Sequence, residues 1–214
     1  MKVIEELKAF GIVPVVAIKN AQDSIPLAES LIEGGLSCAE ITFRTDAAEE
    51  AIRIIAGRFP EMTVAAGTVL SAEQADRAVS AGATLIVSPG LNPSVVEHCL
   101  KQGYPIVPGI VTPSEIELAL SYGLKYLKFF PAEAAGGIKM IKAMSSPYSD
   151  VRFMPTGGIS PDNLENYLSF EKVFACGGSW MVKGSLISEG RFDVIKNLTR
   201  DAVNAVKRVR GSEV

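Results

Sequence analysis

One unit recurs along this chain: a short apolar run rich in β-formers, a tight loop of Gly, Pro, Ser or Thr, then a stretch of helical period. The candidate strands are 12–18, 38–44, 63–69, 85–88, 106–111, 126–130, 152–156 and 173–176. Successive starts fall about 20 to 26 residues apart, the length of a strand plus its crossover helix. Helix starts follow the strands. Ser71 to Gln74 and Thr112 to Glu115 fit a capping box, while Asn92, Thr112 and Ser160 each precede a proline at the first helical position.

Strand alternating with helix predicts a parallel sheet. An open doubly wound sheet satisfies the alternation as well. Eight units in 214 residues, with no G-x-G-x-x-G after the first strand, favour α/β architecture as a closed (β/α)8 TIM barrel. The units share no close identity, so they are not a solenoid array. We expect a single domain over 1–214, with a short N-terminal helix across the barrel bottom.

Composition removes several functions. The net charge is −3 and no block of Lys or Arg occurs, so there is no footprint for nucleic acid or an anionic membrane. A single histidine, His98, rules out multi-His metal sites, and the residues call for neither metal nor cofactor. Cys38, Cys99 and Cys176 lie far apart, as free thiols do in a reducing compartment. Acidic residues stand early where a signal peptide needs an apolar stretch, and no run approaches ~18 apolar residues. The expectation is a cytoplasmic protein without membrane partners.

Polar side chains on the strands of such a barrel stand out against its branched apolar core. From Ala39 to Arg44 the sequence alternates, so Glu40, Thr42 and Arg44 share one face and Ala39, Ile41 and Phe43 the other. The apolar set suits the helix layer, which turns Glu40 and Arg44 toward the interior or its upper mouth. Lys128 stands between Leu127 and Phe129 on the sixth strand, opposite in parity to both. Two readings stay open for it: a structural ion pair with Glu40, or an amine kept reactive by desolvation. An ordinary lysine is only ~0.04% neutral at pH 7, so a nucleophilic lysine needs burial or a nearby cation. Glu40 can then move protons.

Glycine pairs mark a second site. Pro155-Thr156-Gly157-Gly158 closes the seventh strand and Cys176-Gly177-Gly178-Ser179 the eighth. Loops at these positions of (β/α)8 enzymes often hold phosphate through backbone N–H groups, with Ser179 adding a hydroxyl.

Together the segments Glu40-Ile41-Thr42-Phe43-Arg44-Thr45, Ala66-Gly67-Thr68-Val69, Ser88-Pro89-Gly90, Lys128-Phe129-Phe130-Pro131-Ala132-Glu133, Pro155-Thr156-Gly157-Gly158-Ile159 and Gly177-Gly178-Ser179-Trp180 resemble the 2-keto-3-deoxy-6-phosphogluconate (KDPG) and 4-hydroxy-2-oxoglutarate (KHG) aldolase family. The resemblance implies a class I aldolase, a homotrimer of barrels that cleaves KDPG to pyruvate and glyceraldehyde 3-phosphate without a cofactor. It implies Lys128 as the Schiff-base lysine and Glu40 as the general acid/base. Arg44 and Thr68 would hold the pyruvate carboxylate, with Pro89 and Thr156 also contacting substrate. Gly157, Gly158, Gly178 and Ser179 would hold the phosphate. Ala135 departs from the Asn expected in that loop. Three rivals remain: an aldolase for the 6-phosphogalactonate epimer, a phosphosugar-binding barrel isomerase, and a non-catalytic phosphosugar sensor. A metal-dependent aldolase is disfavoured by the lone histidine.

Other residues have plainer readings. His98 belongs on an outer helix, and Trp180 packs, with the option of walling the phosphate site. Cys176 fills core space, and Asp150 and Arg152 are structural. Lys207, Arg208 and Arg210 suit a helix C-terminus.

Overall fold

A computed structural model gives the fold and describes residues 2–211. The remaining residues of the expected 1–214 domain lie outside those described. Nine strands form among the described residues: β1 (Ile12–Val16), β2 (Cys38–Thr42), β3 (Thr63–Gly67), β4 (Leu85–Val87), β5 (Ile106–Val107), β6 (Gly109–Ile110), β7 (Tyr126–Phe129), β8 (Arg152–Pro155) and β9 (Cys176–Gly178). All pair in parallel, six in the order β5-β4-β3-β2-β1-β9 and three in the order β6-β7-β8. Isolated bridges from Phe153 to Val173 and from Thr156 to Gly177 link β8 with the segment of β9. The architecture is α/β, built on curled parallel sheet.

The expected strand 106–111 is divided at Pro108. Proline has no N–H for the ladder, so β5 and β6 pair with different neighbours. The Pro108 carbonyl still accepts the Lys128 N–H at 2.9 Å. The last strand is also displaced: β9 starts at Cys176 and runs through Gly177 and Gly178, aligned with Ile12, Val13 and Pro14. Glycine is a poor strand former, which hid this register in the sequence. The other strands stop one or two residues before their expected ends, so Arg44 and Thr68 lie in turns beyond β2 and β3.

Among the described residues ten α-helices surround the strands: α1 (Lys2–Phe10), α2 (Ser24–Glu33), α3 (Ala48–Arg58), α4 (Ala72–Ser80), α5 (Pro93–Gln102), α6 (Pro113–Ser121), α7 (Gly137–Ser145), α8 (Pro161–Leu168), α9 (Gly184–Ser188) and α10 (Phe192–Arg210). Thr112 makes the full box with Glu115, whose Oε2 accepts the Thr112 N–H at 2.8 Å. Ser71 makes half of one: its hydroxyl accepts the Gln74 N–H, while Gln74 turns back to the Leu70 N–H. The buried faces follow helical period, as with Ala51, Ile52 and Ile55 of α3. Each fully buried isoleucine there contributes roughly 1.5–3 kcal/mol. On the strands, Ala39, Ile41, Leu127 and Phe129 are buried as the alternation requires.

Arg210 does more than complement a helix dipole. Its guanidinium donates to the carbonyls of Lys8, Val173 and Phe174, tying the end of α10 to α1 and to the approach to β9. His98 lies on α5 and pairs with Asp76 at 2.7 Å, while Lys125 pairs with Asp150. No helix among the described residues is long and apolar enough to cross a membrane.

Candidate active site

Glu40 projects from the middle of β2 and Lys128 from β7, two strands in separate sheets. Their side chains meet: Lys128 Nζ donates to Glu40 Oε1 at 3.0 Å, with 6% and 1% of the two side chains exposed. The second oxygen, Glu40 Oε2, is buried without a hydrogen-bond partner among the described residues. A pair kept for stability alone would satisfy both oxygens, since a bare buried acceptor costs about 1–3 kcal/mol. Of the two readings left open for Lys128, the geometry gives the buried ion pair, with one carboxylate oxygen unbonded among the described residues. Lys128 Nζ also stands 5.5 Å from the centre of the Phe130 ring, at the half-open mouth.

The other expected site residues lie on β2, at the end of β9 or just beyond the strand ends. Thr42 is buried and donates to the Val16 carbonyl at 2.7 Å, while its Oγ1 accepts from Arg44 Nε at 3.2 Å. Arg44 is exposed in the turn beyond β2, so it belongs to the mouth and not the interior. Thr68 follows β3 with φ = 57°, a left-handed conformation that is a real outlier for a β-branched residue. Strain of this kind costs about 1–3 kcal/mol and clusters at functional sites. Pro89 lies half-buried beyond β4, in a turn fixed by Ser88 Oγ donating to the Gly90 carbonyl at 2.7 Å.

Thr156 is buried just beyond β8, beside Gly177. Gly157 and Gly158 both adopt positive φ, 97° and 82°, which only glycine tolerates well. Their carbonyls are held by the Glu133 N–H at 3.0 Å and by Asn163 Nδ2 at 3.0 Å. Ser179 is exposed after β9, and Trp180 packs against Gly178 so closely that a Cβ there would overlap its ring. Sequence reasoning missed one contact here. The buried Tyr167 hydroxyl of α8 donates to Glu133, whose stem fills the space beside Gly158. Tyr167 resembles an ordinary core aromatic in sequence, so no signal marked it. Burial and the Glu133 carboxylate push its phenol above the usual range.

Two concavities lie elsewhere. One of 600 Å³ is lined by Glu5, Arg152 and Arg210, and one of 440 Å³ by Tyr104, Tyr122 and Leu124. Both open at the N-terminal ends of the strands, the end that reads as stability in this architecture. Every expected site residue lies at the C-terminal end or inside.

Comparison with known proteins points the same way. The family model for KDPG and KHG aldolase matches residues 3–198. The chain is 48% identical over 206 residues to a 2-dehydro-3-deoxy-phosphogluconate aldolase of Haemophilus influenzae, covering 96% of this chain and 97% of the relative. It is 44% identical over 196 residues to a KHG/KDPG aldolase of Escherichia coli K12, covering 92% of each. Among solved structures, KDPG aldolase from Legionella pneumophila, with pyruvate captured as a covalent carbinolamine, matches with a TM-score of 0.91 at 37% identity. That match covers 94% of this chain and 98% of the other. The Zymomonas mobilis ZM4 enzyme with 3-phosphoglycerate gives a TM-score of 0.88, also at 37% identity, covering 94% of each.

Proposed function

The chain belongs to the KDPG and KHG aldolase family, and from that premise we propose that it is a class I aldolase cleaving KDPG to pyruvate and D-glyceraldehyde 3-phosphate. KHG is a possible second substrate of the same chemistry, giving pyruvate and glyoxylate. The observation that carries the proposal is the buried contact between Lys128 Nζ and Glu40 Oε1.

The steps follow from that contact. Lys128, once its proton has passed to Glu40, attacks the C2 ketone; Glu40 gives that proton to the departing hydroxyl, and loss of water leaves an iminium and the free carboxylate. Glu40 removes the C4 hydroxyl proton, directly or through a water. The C3–C4 bond breaks as the iminium takes up the electron pair, leaving an enamine and the free aldehyde. Glu40 returns a proton to the enamine carbon, and hydrolysis releases pyruvate and the lysine. In the same reading Arg44 and Thr68 hold the pyruvate carboxylate, Pro89 and Thr156 line the sugar-acid chain, and Gly157, Gly158, Gly178 and Ser179 hold the phosphate. Two positive-φ glycines with fixed carbonyls support that last role, because their N–H groups are left oriented.

For the architecture we propose one closed (β/α)8 barrel over 1–214. The single residue, Pro108, between β5 and β6 and the bridges between β8 and the β9 segment support it. Three free, buried thiols support a reducing, cytoplasmic setting, and the homotrimer comes with the family reading.

Borohydride reduction in the presence of pyruvate, followed by intact mass and peptide mapping, tests the mechanism. The expected result is a stable adduct on Lys128, absent from Lys128→Ala. A folded wild-type protein that forms no adduct would overturn the class I assignment and favour an isomerase or a sensor.

A further inference from the structure

Four strand glycines, Gly67, Gly109, Gly177 and Gly178, have no left-handed φ, so any residue could adopt their backbone. Yet a Cβ on each would overlap part of the site: Glu40, the Pro89 carbonyl, Thr156 and Trp180 respectively. These glycines provide space, not conformational freedom.

Gly67 touches the reacting groups most directly. A Cβ there would lie 2.7 Å from both Cγ and Cδ of Glu40, and closer still to Oε1, the oxygen bound to Lys128. The carboxylate therefore occupies the volume that any other residue at 67 would fill. Glu40 is fully buried, and its backbone is held in register between Val15 of β1 and Ala65 of β3, so the side chain must absorb any shift.

We propose that Gly67 is a positioning residue for proton transfer: its missing side chain is the seat that lets the Glu40 carboxylate reach Lys128 Nζ. This deepens the class I reading and rests on it. An alanine methyl needs about 3.5 Å from its carbon neighbours, so Gly67→Ala shifts the carboxylate by about 1 Å. A proton transfer that works at about 2.6–3.2 Å then loses its geometry.

Gly67→Ala should lower kcat on the order of 10²-fold and change KM little. The discriminating variant is Glu40→Ala, which removes Cγ, Cδ and both oxygens and so empties the seat. Gly67→Ala added to Glu40→Ala should slow the residual turnover no further than Glu40→Ala alone. The same fold-loss in both backgrounds, or wild-type kcat in Gly67→Ala, would overturn the proposal. Should Gly67→Ala fail to fold, recovery of the fold by added Glu40→Ala supports the same contact, and no recovery overturns it. Pyruvate trapping on wild-type Lys128 separates the two levels. Without it the class I reading falls; with it, an indifferent Gly67→Ala removes only the role of Gly67.

Discussion

Lys128→Met should destabilise this protein far more than the loss of one surface charge. The replacement keeps most of the side-chain volume but leaves Glu40, fully buried, with neither oxygen hydrogen-bonded. Breaking a buried pair by removing one partner costs about 3–5 kcal/mol, because the remaining charge is uncompensated. In a chain of this size each kcal/mol moves Tm by about 2–4 °C, which gives a fall of roughly 6–20 °C. Adding Glu40→Gln replaces the stranded charge by a neutral amide of the same shape and should recover most of the loss. Thermal and urea unfolding of wild type, Lys128→Met, Lys128→Met with Glu40→Gln, and Glu40→Gln alone make the measurement a cycle. A Lys128→Met protein as stable as wild type would refute the reasoning. So would a double variant no more stable than Lys128→Met, since the deficit would then come from packing.

Ser179→Ala should raise KM for KDPG about tenfold, as expected for a hydroxyl donating to a charged oxygen, and leave KHG kinetics nearly unchanged; equal effects on both substrates would remove Ser179 from the phosphate site. Thr199 packs against Gly34 in the contact between α10 and α2 with its hydroxyl buried and unpartnered among the described residues. Thr199→Val should therefore be neutral or stabilising by about 1 kcal/mol, and a clear drop in the urea midpoint would show that the hydroxyl has a partner. Burial, aided by the Asp76 charge, pushes the Cys99 thiol up to about 11, and burial raises Cys38 and Cys176 further. Native thiols thus keep protons that the unfolded chain releases above about pH 9, so stability falls as pH rises from there toward 11. The urea midpoint should be lower at pH 10 than at pH 7, and rapid alkylation of the folded protein at pH 8 would contradict the burial.

The sequence carried the alternation of Glu40, Thr42 and Arg44, and with it the inward carboxylate, because period two is a local property. It also carried Lys128, whose charge between Leu127 and Phe129 has no bland position. It did not show that these two side chains meet, since 88 residues separate them. Nor did it show the split at Pro108 or the register of β9, where one proline and two glycines spoil local strand propensity while the ladder to Ile12–Pro14 prevails. Thr68 is legible as a motif residue, but its left-handed backbone is imposed by its surroundings and leaves no compositional trace. Gly67 illustrates the remaining gap. A glycine in a strand signals close approach, and only the structure says what approaches.

The anchoring of Arg210 has a kinetic side. Its contact with the Lys8 carbonyl spans 202 residues, and those with Val173 and Phe174 span 37 and 36. Closing a loop of 202 residues costs more entropy than closing one of 36, so we expect this contact to form after the more local ones. Interactions made after the barrier leave the rate of folding alone and slow only the way back. On that expectation the guanidinium is a late latch: Arg210→Ala should speed unfolding and leave the folding rate nearly unchanged, and a slowed folding limb in stopped-flow would refute it.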